Sequence, residues 1–185
     1  MTEQTLDDLQ QIHVPGLLLR PFVDSDAPAF AAAALESVET VGRWMPWCHA
    51  GFGAETALAW FAACRSGREA GSAYEFGVFD AASGELVGGV GLNLINLQHR
   101  YCNLGYWVRQ SRQGQGIATR CVPALTQLAF GMLALHRIEI VVAVGNAASE
   151  RVALKCGATF EALARKRLLL HGEPVSASIF SIVAP

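Results

Sequence analysis

The densest chemistry in the chain lies in Gly105-Tyr-Trp-Val-Arg-Gln-Ser-Arg-Gln-Gly-Gln-Gly-Ile-Ala-Thr119. Leu104 to Val108 is aromatic and β-branched and predicts a strand. A polar turn then leads through Gly114 and Gly116 into a helical pattern. Glycines at a helix mouth let the backbone approach a ligand, and the first-turn N–H groups have no partner inside the helix. The helix dipole adds positive potential, so the segment predicts an anion site, most naturally for phosphate. A Walker loop is excluded by spacing and by the missing lysine. The dinucleotide fingerprint fails because Thr119 stands where its third glycine belongs. Arg109, Arg112 and Arg120 supply local positive charge around the turn.

The surrounding elements can be read from periodicity and punctuation. Leu17 to Phe22 predicts a strand closed by proline, and Asp24 or Ser25 can cap a helix over Ala27 to Glu36. Thr40 to Gly53 is irregular and rich in Trp and Pro, and a second helix is expected over Ala54 to Arg68. Tyr74 to Phe79 and Glu85 to Ile95 predict an antiparallel hairpin around Ala82-Ser-Gly84, with Tyr101 to Val108 as the next strand. A long helix follows from Gln115 to about Met132, with a kink expected at Pro123. His136 to Val144 is a near-continuous apolar run, the pattern of a strand buried on both faces. Asn146 can cap a short helix to Lys155, which Gly157 stops. Strands over Thr159 to Leu170 and Val175 to Val183, joined by His171-Gly-Glu-Pro174, complete a mixed α/β sheet.

At 185 residues, with 52% hydrophobic and 16% charged, the chain predicts one ordered domain. Residues 1–15 are expected to form a flexible N-terminal extension; Met1 to Gln11 is polar and acidic, unlike a signal peptide. A net charge of −2 argues against nucleic acid as a bulk partner. The apolar stretches are too short to span a bilayer. Five scattered cysteines without a Cys-x-x-Cys pair fit reduced thiols in a cytoplasmic protein and offer no metal site.

The glycine turn resembles motif A of the GCN5-related N-acetyltransferases (GNAT), whose Gln/Arg-x-x-Gly-x-Gly/Ala loop grips the pyrophosphate of acetyl-CoA. Gly114 and Gly116 match it, and Ser111 holds its leading position. The element order is also similar to that family's over nearly the whole chain. Leu17-x-Leu-Arg-Pro-Phe22, Asp24-x-Asp26, Arg43-Trp-Met-Pro-Trp47, Gly105-Tyr-Trp, Asn146-x-x-Ser149 and Lys155-x-Gly157 together resemble the RimJ/RimL branch, which acetylates protein N-termini. The resemblance implies a sheet of six to seven mostly antiparallel strands with a splayed central pair and about four helices. It also implies acetyl-CoA as co-substrate without a metal, and direct transfer to an amine in a ternary complex. The acceptor would be a small amine or a peptide, a ribosomal protein N-terminus among them, and a homodimer is in keeping with relatives.

Acetyl transfer needs a held donor, a polarised carbonyl, a deprotonated amine and a protonated thiolate. The resemblance assigns the first to Gln113, Gly114, Gln115, Gly116, Ile117 and Ala118, with the Thr119 hydroxyl, Arg109, Trp107 and Asn146 adding contacts. It implies that the strand at Trp107 and Val108 parts from His136 to Val144, so that pantetheine lines the open edge and the Val108 N–H meets the thioester oxygen. Tyr106 and Trp107 also read as core aromatics, on opposite faces of the strand. Asn146 and Ser149 lie a turn apart; Asn-x-x-Ser is a helix cap by pattern, and by resemblance Ser149 is the proton donor, since Ala153 stands where many relatives carry Tyr. For the base, Asn103 and Leu168 stand where relatives carry acids, while Glu161 is kept. Glu75, Glu39, His99 and His49 are the remaining candidates, with water as the alternative acceptor. Trp44 and Trp47 are expected at the acceptor mouth, or as a plug over the core. A longer donor such as succinyl-CoA, and a module that binds acyl-CoA or a partner without turnover, are the competing readings.

Overall fold

The computed structural model of the protein describes residues 11–185, so residues 1–10 of the expected extension lie outside the described residues. Eight strands form one sheet: β1 (Ile12–Val14), β2 (Leu17–Arg20), β3 (Tyr74–Asp80), β4 (Leu86–Asn96), β5 (Tyr101–Val108), β6 (Arg137–Ala143), β7 (Thr159–Leu170) and β8 (Glu173–Val183). Their spatial order is β1-β2-β3-β4-β5-β6-β8-β7. Among the described residues four α-helices flank it: α1 (Ala27–Glu36), α2 (Ala54–Glu69), α3 (Ile117–Gln127) and α4 (Ala147–Lys155). Every neighbouring strand pair is antiparallel except β5 and β6.

The strand beyond the expected six to seven is β1. Instead of trailing as an extension, Ile12–Val14 pairs with Leu17–Leu19 through the Pro15-Gly16 turn, Gly16 taking φ +74°. Proline and glycine in tandem are a turn signal, and here they close a hairpin too short for its alternation to show. β2 stops at Arg20 because Pro21 has no N–H to give the ladder. Neither Asp24 nor Ser25 caps α1. The buried Asp26 carboxylate instead accepts the Val23 N–H at 2.9 Å and two Arg20 bonds at 2.7 and 2.8 Å.

Apolar side chains pack in two layers. Ile117, Cys121, Val122 and Leu125 of α3 meet Leu104, Ile138 and Ile140 on one face of the sheet. On the other, Phe30 of α1 and Phe61 of α2 pack with Phe22, Phe52 and Phe79. Phe30, 2% exposed, is the hub, with ring centroids 5.3 Å from both Phe22 and Trp107. Burial of one such ring contributes about 1.5–3 kcal/mol.

β6 is less enclosed than its composition predicts. Ile138, Ile140 and Val142 are buried, but Arg137, Glu139 and Val141 are half-buried: Val141 lines a cleft, and Arg137 pairs with Glu139 and Glu161. The long helix also differs. It stays α-helical through Pro123 and then widens into a π-helical turn over Leu128–Met132. Pro123 cannot donate to the Thr119 carbonyl one turn earlier; the Cys156 thiol donates to that oxygen instead, at 3.7 Å.

Candidate active site

β5 and β6 pair only from Tyr101 to Asn103 against Arg137 to Glu139, after which the strands part. The Arg109 N–H donates to the Val87 carbonyl of the strand on the far side at 3.0 Å. In an antiparallel ladder successive residues point their polar groups to opposite neighbours. The Val108 and Tyr106 N–H groups therefore point into the opening, where no strand meets them. That is the splayed pair the sequence implied, and it forms one wall of a cleft of about 580 Å³.

The mouth of α3 forms a second wall. Gly114 and Gly116 adopt φ +75° and +71°, left-handed values that glycine tolerates freely. The Gly116 carbonyl accepts from Arg120 N–H at 3.1 Å, and no side chain caps the helix. The amides of Ile117, Ala118 and Thr119 are thus left for a ligand, and all three residues line the cleft. Gln113 fixes the turn: its Nε2 donates to the Val108 carbonyl at 3.0 Å and to Thr40 Oγ1 at 3.1 Å.

Two residues expected to contact the cofactor do not reach the cleft. Arg109 bonds Glu36 and Glu85, the latter at 2.9 Å, which spends its guanidinium on joining α1 to β5. Gln115 turns back to Ser111 and Arg112. Ser111 donates its N–H to Glu36 at 2.7 Å, so the leading motif position anchors the turn through its backbone. Arg112 lines the cleft while bonded to Asp80 at 2.8 Å and Glu85 at 2.5 Å.

α4 supplies the third wall. Asn146 Oδ1 accepts the Ser149 N–H at 3.2 Å, so it is the helix cap, and both residues line the cleft. Tyr106, read from the sequence as a core aromatic, packs against the core and also lines the cleft, where it makes a contact with Ser149 that the sequence did not signal. Its hydroxyl donates to the Ser149 carbonyl at 3.0 Å and lies 3.1 Å from Ser149 Oγ. Burial pushes the phenol up to about 12, against the opposing pull of the Ser149 bond, so it stays a proton donor. Alternation does set Tyr106 on the face opposite Trp107, which packs 5.4 Å from Trp47. The relatives' Tyr position, Ala153, is fully buried and faces no cleft.

Trp44 lines the cleft, and a methyl group at Gly145 would sit 3.7 Å from its ring. Trp47 does not; it plugs the α1/α2 layer against Phe30 and Phe52. Trp107 belongs to that layer and also reaches the cleft wall. Of the base candidates only Glu39 lines the cleft. His99 is exposed in the β4–β5 turn, and His49 borders a shallow depression with His171. Glu75 lies inside the sheet face, where burial raises its pKa and Asn93 donates to it at 3.0 Å. Asn103 in turn donates to Asn93 at 2.9 Å. Asn103, Asn93 and Glu75 are thus linked in one hydrogen-bonded row, and Glu75 does not line the cleft. Glu161 is bound by Arg137 and Ser181. Leu168 lines the cleft as an apolar side chain.

Besides Arg112, which Asp80 and Glu85 hold, the cleft wall carries Arg43, Arg151 and Lys155 against the single carboxylate of Glu39, which suits a polyanionic ligand. Among the described residues no three His, Cys, Asp or Glu side chains gather as a metal site, and no helix is long and apolar enough to cross a membrane.

A family model described as an acetyltransferase (GNAT) domain matches residues 16–159. The chain belongs to that family. Its fold and its N-acetyltransferase activity are therefore those of the GNAT enzymes. Among relatives, the uncharacterized N-acetyltransferase YoaA of Bacillus subtilis (strain 168) is 27% identical over 179 residues, covering 91% of this chain and 94% of its own. A Vibrio cholerae protein solved as a candidate ribosomal-protein-serine acetyltransferase is 33% identical, with TM-score 0.83 and coverage of 94% and 97%. RimL, a ribosomal L7/L12 alpha-N-protein acetyltransferase solved with coenzyme A, shares the fold at TM-score 0.86 and 24% identity over 94% and 97% of the two chains.

Proposed function

We propose that this GNAT enzyme transfers the acetyl group of acetyl-CoA to the N-terminal α-amine of a polypeptide by direct attack, both substrates occupying the cleft together. The supporting observation is that the uncapped mouth of α3 and the unpaired edge of β5 face one cavity. The amides of Ile117 to Thr119 bind the pyrophosphate, and pantetheine runs along the edge of β5, where the Val108 N–H polarises the thioester carbonyl. Asn146 holds the start of α4 against the pantetheine arm, and Arg151 and Lys155 neutralise phosphate. The similarity to the ribosomal-protein-serine acetyltransferase of Escherichia coli (strain K12) and to the Vibrio cholerae candidate supports ribosomal-protein N-termini as acceptors.

In the transfer the amine nitrogen bonds the carbonyl carbon, the carbon–sulfur bond breaks, and the proton lost by the amine is balanced by the one gained at sulfur. An α-ammonium first gives one proton to water, and with a pKa near 8 about a tenth of it is neutral at pH 7; the second proton leaves nitrogen after attack and is the one that sulfur gains. A thiol has pKa near 8.5 and the Tyr106 phenol about 12, so full transfer from Tyr106 or Ser149 to the thiolate is uphill. Ser149 therefore stabilises the departing sulfur by hydrogen bonding, and Tyr106 holds the Ser149 hydroxyl in place.

Purified protein, acetyl-CoA and a peptide with a free N-terminal serine should release free thiol; no release from any peptide would refute the acceptor assignment. In calorimetry Gly116→Glu should abolish coenzyme A binding, since it sets a carboxylate beside the diphosphate and strains a φ of +71°. Unchanged affinity would refute the phosphate site.

A further inference from the structure

We infer that the acceptor polypeptide is recognised as an acidic segment, its carboxylates held by a cationic bulge of β7 at the mouth of the cleft. This rests on the acceptor assignment above and narrows it to a substrate class.

The pairing of β7 with β8 breaks between Ala164 and Leu168, and Lys166 takes φ +51°. The three residues thrown off the ladder are Arg165, Lys166 and Arg167, all exposed. None is in an ion pair among the described residues, whereas Arg20, Arg65, Arg109, Arg112 and Arg137 each have a carboxylate. The next residue, Leu168, lies on the cleft wall. The hairpin beyond it ends at His171, whose Nε2 is 3.0 Å from the Gly42 carbonyl. That contact sets the hairpin tip against the segment carrying Arg43 and Trp44, which also line the cleft. The bulge is thus joined to the cleft wall through Leu168, the residue that follows it.

Cofactor phosphates account for the α4 pair but not for the bulge. In a chain of net charge −2, three consecutive exposed cations without an ion pair are a local concentration of positive charge. Single exposed ion pairs contribute little. A cluster beside a cleft, however, raises the encounter rate with opposite charge and sets its register, in a way that salt weakens. Charged residues and bulges also guard free sheet edges against aggregation. A guard of that kind would leave acceptor choice unaffected.

The test uses three peptides that share an N-terminal serine and continue with acidic, neutral amide or basic residues, assayed by thiol release. The wild type should favour the acidic peptide over the neutral one by about tenfold in kcat/KM at low salt, and lose most of that preference near 0.5 M salt. Arg165→Glu/Arg167→Glu should erase or invert the preference while coenzyme A affinity, read by calorimetry, stays at the wild-type value. Equal rates on acidic and neutral peptides, or an unchanged ratio in the variant, would overturn the inference and leave N-terminal acetylation standing. Turnover of none of the peptides would overturn both.

Discussion

Ser149 and Tyr106 meet across the opening between α4 and β5, and their separate worth can be measured. The Ser149 hydroxyl is assigned to a charge that exists only after the thioester begins to break. Removing a hydrogen bond to a charged group costs about 1.5–3 kcal/mol. Ser149→Ala should therefore lower kcat by about tenfold to a hundredfold with little change in KM for acetyl-CoA. Tyr106→Phe should act in the same direction but more weakly, since it frees the serine without deleting it. A rise in KM with kcat intact would make both residues binding groups. The difference in legibility between them is instructive. Asn146 and Ser149 stand in a spaced pattern on one helix, where sequence separation reports proximity. Tyr106 reaches Ser149 from a strand 43 residues away in sequence, and no local spacing records such a contact.

The sheet positions the site through groups that sequence shows only as composition. Gly91 is an example: a Cβ there would lie 1.8 Å from Glu75 Oε2, so the glycine makes room for a buried carboxylate on the neighbouring strand. Gly91→Ala should lower stability by about 1–3 kcal/mol, as overpacking does, in urea denaturation. A smaller loss would mean that Glu75 swings clear at no cost. Strands and helices were mostly legible, because their alternation, glycines and capping residues are local. The closed face of β6 was misread, since an apolar run cannot tell a second layer of protein from the wall of a cleft. Trp44 and Trp47 were equally ambiguous. One faces the cavity and the other the Phe30 cluster, and only packing of the irregular segment between α1 and α2 decides which.

At the level of the whole chain, ion pairs link elements distant in sequence. Glu36 at the end of α1 binds Arg109 and the Ser111 amide, tying α1 to the turn that leads into α3. The Arg109 bonds pull its carboxyl down to about 2 from an ordinary 4.5. A carboxylate with a lowered native pKa stabilises the fold above its unfolded value, and that stability is lost as pH falls through the window from about 4.5 to 2. Glu36→Gln should therefore be less stable than wild type near neutrality, with the gap closing across this window in thermal melts; parallel curves would show that the tie carries no stability. Neither the tie nor the full reach of the cleft was readable in advance, because both depend on which distant segments fold together. The parting of β5 and β6 also has a dynamic signature. Backbone amides at Tyr106 and Val108 lack a strand partner and are open to solvent deuterons, so a ligand lying along that edge would act as a temporary ninth strand and slow their exchange selectively.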